Sequence, residues 1–259
     1  MKGFMIPEEL KSVHDQLLVM TGKELKQKYK RTVLGFFWSF LMPLAQTVVF
    51  FIVFSMIMRF EMKNYVLYLL SGMFLWQSFS NMAVQGAFCF LGNASLIKKT
   101  SCRRYTLGGA VVLAELVHLL CVVPLLVGVM VFYHVHPGWN LLLTPLLLLL
   151  LGLYGTGIVL VNGTLNLFFR DLERILVILL QLWFFLTPVF YPPSAVPGNM
   201  GFLLKWNPFY WLLHAWRGVF YQPEAVWGEI GMALIWGCVF LGAGIAVYCM
   251  GCKKFAEEI

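Results

Sequence analysis

The densest charged cluster in the sequence is Arg170-Asp171-Leu172-Glu173-Arg174. An Asp-x-Glu pair can hold a divalent metal in a glycosyltransferase, because carboxylate oxygens are the ligands that hard cations prefer. Here two arginines flank the pair and can neutralise it, and the cluster occupies a short loop between two apolar segments. A rigid charged corner that docks a partner fits these residues better than metal catalysis.

Glu115 and His118 are ionisable residues three positions apart in a long apolar segment, where both fall on one side of a helix. Ionisable groups inside a membrane segment are candidates for function, because burial without partners is costly. The alternative is an interhelical hydrogen bond, or a position near the cytoplasmic water.

Two pairs of potential metal ligands, His134-x-His136 and Cys249-x-x-Cys252, each lack a second pair of ligands, so we predict no metal site. The sequence also contains no GxxxxGK[ST] phosphate loop and no nucleophile elbow. We therefore predict that this chain is not an enzyme, has no catalytic residue and binds no cofactor. The energy for any work must come from an ion gradient or from another subunit.

The elements that carry these residues are predicted to lie in a membrane. Hydrophobic residues make up 60% of the chain, charged residues 12%, and the mean hydropathy is +0.80. A cleaved signal peptide is excluded because a long polar segment precedes the first apolar run, and a β-barrel is excluded because its strands alternate over about 10 residues. We predict an all-α protein whose six transmembrane helices cover 33–58, 65–91, 107–133, 141–168, 174–190 and 228–250.

Charge predicts the orientation of these helices. Of the 19 lysines and arginines, 15 fall on the side that holds both termini and 4 on the other. Positive charge remains on the cytoplasmic side, so both termini are predicted to be cytoplasmic. The net charge of +7 then reflects topology and affinity for anionic headgroups, and nucleic acid is not a predicted partner.

Residues 1–32 form a predicted cytoplasmic segment ahead of the transmembrane domain at 33–259. Within 7–29, apolar residues recur at helical spacing among charges, which is typical of an amphipathic helix in the membrane interface. The alternative is a solvated helix that serves only as an anchor. Toward the other end of the chain, 191–221 is rich in proline and contains two apolar stretches too short to span, 202–206 and 209–221. These stretches fit two short re-entrant helices.

Six motifs in order resemble one known family. They are KQKYKRTVLGFFWSFLMPL, YLLSGMFLWQSF, LIKKTSCRR, FFRDLER, TPVFYPPSAVP and WNPFYWLLHAWRG. Together they resemble the permease subunits of type-2 ABC (ABC-2) exporters that move lipid-linked polysaccharides such as O antigen, capsule and teichoic acid. One departure is that Ser101, Cys102 and Arg103 stand where the family usually has Phe-Pro-Arg.

The resemblance implies a homodimer in the bacterial inner membrane, with two separate ATP-hydrolysing subunits that bind ATP and Mg²⁺ on the cytoplasmic face. Residues 8–31 resemble a gate helix, 93–106 a first coupling element and 169–174 a second. The residues expected to couple to the ATPase are Lys98, Lys99, Arg103, Arg104, Arg170, Asp171, Glu173 and Arg174.

The resemblance also implies a substrate pathway that forms when the first and fifth spans part. Sugar rings stack on aromatic faces, so the predicted lining is Trp38, Trp76, Trp183, Phe184, Phe185 and Tyr191. Interfacial aromatic belts are the alternative for these side chains. At the cytoplasmic mouth, Lys28, Lys30 and Arg31 are expected to meet the pyrophosphate of an undecaprenyl-type carrier, although membrane orientation alone would also place cations there.

Other functions remain open at this point. An ABC-2 permease of the same build could move a drug or a lipid. A gradient-driven carrier would need intramembrane carboxylates, of which Glu115 is the clear one, and a polyprenyl-linked membrane transferase would need a surface cluster, for which only Asp171 and Glu173 qualify.

Overall fold

The computed structural model describes residues 8–29, 35–99, 103–136, 138–169, 171–221 and 226–251. Helices account for the regular structure in these ranges, and no strand occurs there, which confirms the prediction of an all-α chain. The α-helices are α1 (Glu8–Tyr29), α2 (Trp38–Phe50), α3 (Tyr65–Phe88), α4 (Ala94–Lys99), α5 (Tyr105–Phe132), α6 (Thr144–Phe168), α7 (Leu172–Leu186), α8 (Gly201–Trp206), α9 (Pro208–Phe220) and α10 (Trp227–Gly251).

Helix α3 is the centre of the bundle and packs against α2, α5, α6, α7 and α9. Buried amides of α6 join it to α3: Asn162 Nδ2 donates to the Ala83 carbonyl at 3.0 Å, and Asn166 Nδ2 donates to the Ala87 carbonyl at 2.8 Å. Because α3 is surrounded by protein, it tolerates polar side chains that a helix facing lipid would not.

The closest helix packing is between α6 and α10. A Cβ atom added to Gly157 would lie 2.3 Å from the Phe240 carbonyl, and one added to Gly244 would lie 2.6 Å from the Gly157 carbonyl oxygen. Only glycine lets the two backbones approach this closely.

Four helical stretches among the described residues are long and apolar enough to cross a membrane: Trp38–Ile57, Tyr105–Phe132, Trp139–Phe168 and Trp227–Gly251. They correspond to four of the six predicted spans. The predicted span at 65–91 is α3, which is long but less apolar. The predicted span at 174–190 is α7, whose 15 residues cover only about 22 Å. For these two the crossing stays a prediction.

Helix α2 changes its winding as it continues. Residues Phe51–Ile57 form a π-helix, in which the Met58 amide donates to the Val53 carbonyl five positions earlier at 2.9 Å. A π-helical stretch inserts one extra residue per turn relative to an α-helix.

The predicted amphipathic helix at 7–29 is α1, which packs on α5. Leu17 faces α5, since a Cβ on Gly109 would lie 2.9 Å from its Cδ2, whereas the neighbouring Leu18 and Val19 are exposed. The protein itself therefore covers part of the apolar face, and the position of α1 in the membrane interface stays a prediction.

The two apolar stretches predicted at 202–206 and 209–221 are the helices α8 and α9. Asn207 separates them and caps α9, because its Oδ1 accepts from the Phe209 amide at 3.1 Å. Its Nδ2 donates to Thr187 Oγ1 at 2.9 Å and so fixes the pair to the end of α7. Entry of α8 and α9 into the membrane stays a prediction.

Candidate functional site

A cavity of about 470 Å³ lies between α2, α3 and α7, and we call it the α2–α3–α7 cavity. Its walls combine three kinds of side chain, of which the aliphatic ones are Met73, Val84, Val177 and Leu180. The polar ones are Gln46, Gln77, Ser80, Asn81 and Gln181, and the aromatic ones are Phe50, Trp76, Phe184 and Phe185.

The aromatic wall is held by ring contacts between the three helices. Phe184 on α7 lies 5.8 Å from Trp76 on α3 and 5.9 Å from Phe50 on α2, measured between ring centroids. Trp76 is nearly buried, so its ring is fixed by its neighbours, while Phe185 is 52% exposed. Aromatic rings at such distances stabilise one another and form a firm apolar surface.

On α3 the polar residues recur at four-residue spacing, which places the cavity residues Gln77 and Asn81 on one face with Gln85, one turn beyond the cavity. Gln77 Nε2 donates to Asn81 Oδ1 at 2.9 Å, and Asn81 Nδ2 donates to Glu115 Oε2 at 3.3 Å. Gln85 Nε2 donates to the other oxygen of Glu115 at 3.0 Å. We call these four residues the amide ladder.

Glu115 on α5 is the anchor of the amide ladder and is fully buried. The interhelical hydrogen bond considered as an alternative for Glu115 is therefore present. A carboxylate that accepts from two amides fixes their orientation. The amides of Gln77 and Asn81 are thus presented to the cavity in a set direction.

The structure brings three of the predicted pathway residues to this cavity, namely Trp76, Phe184 and Phe185. It places the other three elsewhere. Trp183 turns toward the bundle, where its Nε1 donates to Asn207 Oδ1 at 3.0 Å. Trp38 is half-exposed at the start of α2, and the Tyr191 hydroxyl donates to the Phe185 carbonyl at 3.2 Å. A transport role for all six stays a prediction.

The amide side chains of this cavity were not singled out from the sequence. A signal was present in the four-residue spacing of Gln77, Asn81 and Gln85, which indicates a polar stripe on one helix face. Gln46 and Gln181 offered no such signal, since each is an isolated amide in an apolar helix.

The predicted coupling residues whose backbone the structure describes lie at one end of the bundle. The Arg103 amide donates to Gln16 Oε1 of α1 at 3.3 Å, and Arg103 Nη1 donates to the Tyr105 hydroxyl at 3.1 Å, so this segment is tied to α1. Arg104 precedes α5 directly. Lys98 and Lys99 end α4, and their side chains lie outside the described part of the chain, as does Arg170.

At the second predicted coupling element, Asp171 precedes α7 and its carbonyl accepts from the Arg174 amide at 3.1 Å. Glu173 lies in the first turn of α7, where a negative charge is favoured by the helix dipole. Asp171 and Arg174 are exposed, as a docking surface requires.

Of the three predicted pyrophosphate contacts, Lys30 and Arg31 lie outside the described residues, and Lys28 is described only as part of the α1 backbone. Their neighbour Lys23 donates to Asn93 Oδ1 and lines a cavity of about 210 Å³ with Glu24 and Gln85. Burial there raises the pKa of Glu24 above its ordinary value, and the positive charge of Lys23 partly offsets this.

Comparison with known proteins places this arrangement in a family. The O-antigen export system permease protein RfbA of Klebsiella pneumoniae is 32% identical over 247 residues, which cover 94% of each chain. The permease of the same name from Myxococcus xanthus is 29% identical over 82% of each chain. The polysialic acid transport protein KpsM of Escherichia coli is 25% identical over 72% of this chain and 73% of its own.

The sequence model of the ABC-2 type transporter family matches residues 15–221, a range that runs from α1 to the end of α9 and includes the whole α2–α3–α7 cavity. With a match over most of its length, the chain belongs to the ABC-2 type transporter family.

Proposed function

We propose that this chain is the channel-forming permease subunit of an ATP-driven exporter that moves a lipid-linked polysaccharide from the cytoplasm to the periplasm. The names of its relatives support this class of substrate, since they describe O-antigen export and polysialic acid transport. The carrier is an undecaprenyl-pyrophosphate type of lipid, and ATP hydrolysis takes place in a separate subunit.

The observation that carries the proposal is the pairing of amides and aromatic rings in the α2–α3–α7 cavity. A side-chain amide both donates and accepts, as a sugar hydroxyl does, so the two groups are matched hydrogen-bonding partners. Aromatic faces contact the apolar faces of sugar rings. A drug or lipid pathway would have less use for five polar side chains on its wall.

In the assembly that we propose, two copies pair through the side that carries α2 and α7. Of the residues in α2, only Pro43 and Thr47 are buried within one copy, and along α7 only Leu176 and Leu180. The apolar surface that remains is available for a second copy or for lipid. Parting of α2 and α7 from their counterparts would join the two α2–α3–α7 cavities into one channel.

The same proposal gives the remaining segments their positions in the membrane and their roles in ATPase docking and carrier binding. All six predicted spans cross the inner membrane, both termini are cytoplasmic, and α8 and α9 re-enter the membrane from the periplasmic side. Two ATPase subunits dock on 93–106 and 169–174, and the bond from Arg103 to Gln16 passes their motion to α1. Lys28, Lys30 and Arg31 meet the carrier pyrophosphate where α1 leads into α2.

The test is export in the bacterium that carries this chain. Deleting the gene should abolish the surface polysaccharide and leave lipid-linked glycan in the cytoplasmic leaflet. Unchanged surface polysaccharide after the deletion would contradict the proposal. Among point variants, Gln77→Leu should reduce export about threefold to tenfold, since it removes one contact with the glycan of about 1 kcal/mol. Trp76→Ala should reduce export per inserted copy at least as much, since it removes an aromatic face together with ring contacts to Phe184 and Phe209.

A matched control for the tryptophan variant is Trp139→Ala. Trp139 is 88% exposed and does not line the α2–α3–α7 cavity. We expect normal export from this variant. The amount of each variant in the membrane is measured by immunoblot, so that reduced export is separated from reduced insertion.

A further inference from the structure

A second cavity of about 390 Å³ lies at the end of the bundle where residues 58–64, 138–143 and 187–200 meet. We call it the Arg217 cavity. Its polar lining consists of Tyr68, Ser194, His214, Arg217 and Tyr221, and its apolar lining of Met62, Pro192 and Pro193.

Arg217 on α9 is 6% exposed, and its guanidinium is fixed in place. Nη1 donates to the Tyr68 hydroxyl at 2.7 Å and to the Pro188 carbonyl at 2.6 Å, and Nη2 donates to the Val189 carbonyl at 2.6 Å. The guanidinium carbon also lies 3.5 Å from the centroid of the Tyr68 ring. Gly72 makes room for this group, since a Cβ there would lie 2.5 Å from Nη2.

All of these partners are neutral, so the described part of the chain does not balance the positive charge of Arg217. Within the described ranges no carboxylate forms an ion pair with Arg217. Glu229, which is near this cavity, contacts His214 instead, with 3.6 Å between Oε1 and Nδ1. In addition, the buried Nε of Arg217 has no hydrogen-bond partner among the residues that the structure describes. A buried charge without a counter-charge is costly, which favours an anion beside it.

The chemistry of the lining narrows the kind of anion. Arginine and hydroxyl groups are typical ligands of phosphoryl oxygens, and Ser194 supplies an exposed hydroxyl at the rim. Tyr65, Tyr68, Tyr191, Tyr210 and Tyr221 cluster around this site, and tyrosines are enriched at the depth of lipid headgroups. The prolines and Met62 offer the apolar contact that the chain next to such a headgroup needs.

We propose that the Arg217 cavity binds the phosphoryl group of a lipid, with Arg217 as the counter-charge and Ser194 and His214 as further contacts. The group belongs either to a phospholipid headgroup or to the diphosphate of a prenyl carrier. The second source rests on the proposed function, whereas binding of a phosphoryl group does not.

The test measures binding to the purified full chain in an uncharged maltoside detergent. The probes are inorganic pyrophosphate, geranyl diphosphate and dihexanoyl phosphatidylglycerol, with dihexanoyl glycerol as the probe that lacks phosphate. Titration is followed by the apparent melting temperature. At least one phosphorylated probe should raise it in a saturable manner, and dihexanoyl glycerol should not. The absence of a response to all phosphorylated probes overturns the proposal.

Two substitutions locate the site. Ser194→Asp puts a negative charge at the rim without touching the bonds of Arg217, so it should weaken binding by about tenfold or more. Ser95→Asp adds the same charge at an exposed serine outside the cavity and should leave affinity unchanged. Equal affinity of Ser194→Asp and the wild type would place the binding elsewhere and overturn the proposal.

The choice among probes identifies the source of the phosphoryl group. Preference for dihexanoyl phosphatidylglycerol indicates a headgroup site, and preference for geranyl diphosphate indicates a carrier site. If inorganic pyrophosphate binds with the same affinity as the two lipid probes, the phosphoryl group alone is sufficient for binding. Because no ATPase or export is involved, a failure of binding is distinguishable from a failure of the export proposal.

Discussion

Glu115 is the residue on which the orientation of the amide ladder depends. Its two carboxylate oxygens each accept from a different amide of α3, at 3.3 Å from Asn81 and 3.0 Å from Gln85. Both amides are thereby held in the interior of the bundle in one direction. A hydrophobic residue at position 115 would leave two half-buried donors without this acceptor.

We expect Glu115→Ala to lower the apparent melting temperature in detergent by about 5 °C, since it removes two hydrogen bonds of about 0.5–1.5 kcal/mol each from a buried acceptor. Glu115→Gln retains one acceptor oxygen and should show a smaller decrease. Glu61→Ala, in an exposed loop, is the control and should melt like the wild type. If Glu115→Ala also melts like the wild type, the carboxylate does not hold the amides.

Glu24 makes the stability of α1 docking dependent on pH. Its pKa in the folded protein is raised from the ordinary value of 4.5 by burial, so the folded state binds more protons than the unfolded state. The stabilising contribution is then fully present below pH 4.5 and is lost as the pH rises through the folded pKa.

Glu24→Gln removes this loss. The melting temperature of the variant relative to the wild type should therefore increase as the pH is raised from about 4 to about 7. Thermal unfolding across this range measures it. Gln16→Ala removes the contact of the same helix with the Arg103 amide without changing a titratable group, and it should show no such trend. A difference between Glu24→Gln and the wild type that does not depend on pH would contradict the assignment.

At the scale of helices, α6 and α10 meet through glycines. Gly157 and Gly244 lie at the contact, whereas a Cβ added to Gly242 would meet no atom of another helix within 4 Å. The same residue type on one helix thus has a packing role at one position and none two residues away.

We expect Gly244→Ala to destabilise the bundle by about 1–3 kcal/mol, because the added methyl group would overlap the Gly157 backbone. Gly242→Ala should be neutral or slightly stabilising, since alanine is the better helix former. Thermal unfolding of the two variants side by side measures the difference. Equal stability would show that the helices can separate without cost.

The helices were largely predictable from the sequence, and the site only in part. Long apolar runs mark α2, α5, α6 and α10, because the pattern depends on composition alone. Which face of α7 turns inward is not local information. Trp183 and Phe184 are adjacent, yet one donates to Asn207 in the bundle and the other lines the α2–α3–α7 cavity. Contacts with the neighbouring helices α2, α3 and α9 determine which of the two side chains faces the cavity.

For the whole molecule, the distribution of exposed apolar surface bears on the proposed homodimer. Both α2 and α10 expose large apolar side chains, for example Val49 at 59% and Val239 at 52%. In the proposed homodimer the α2 surface faces a second copy, which leaves the α10 surface to lipid. The two positions are matched in residue type and exposure.

In a variant free of other cysteines, Val49→Cys should form a covalent dimer in the membrane with a short bifunctional thiol reagent, and Val239→Cys should remain monomeric. Both residues are half-exposed in one copy, so reactivity alone does not favour either. Gel electrophoresis measures the outcome. A dimer from Val239→Cys and none from Val49→Cys would place the contact on α10 and contradict the proposed pairing.

The π-helix at Phe51–Ile57 holds part of α2 in a winding that differs from the α-helix before it. Because a π-helical turn holds one more residue than an α-helical turn, returning to α-helical winding passes one residue along the chain and turns the adjoining part of α2 by about 100°. Phe50 sits at the junction and faces the α2–α3–α7 cavity. A return of this stretch to α-helical winding would therefore rotate Phe50, and with it one side of the aromatic wall.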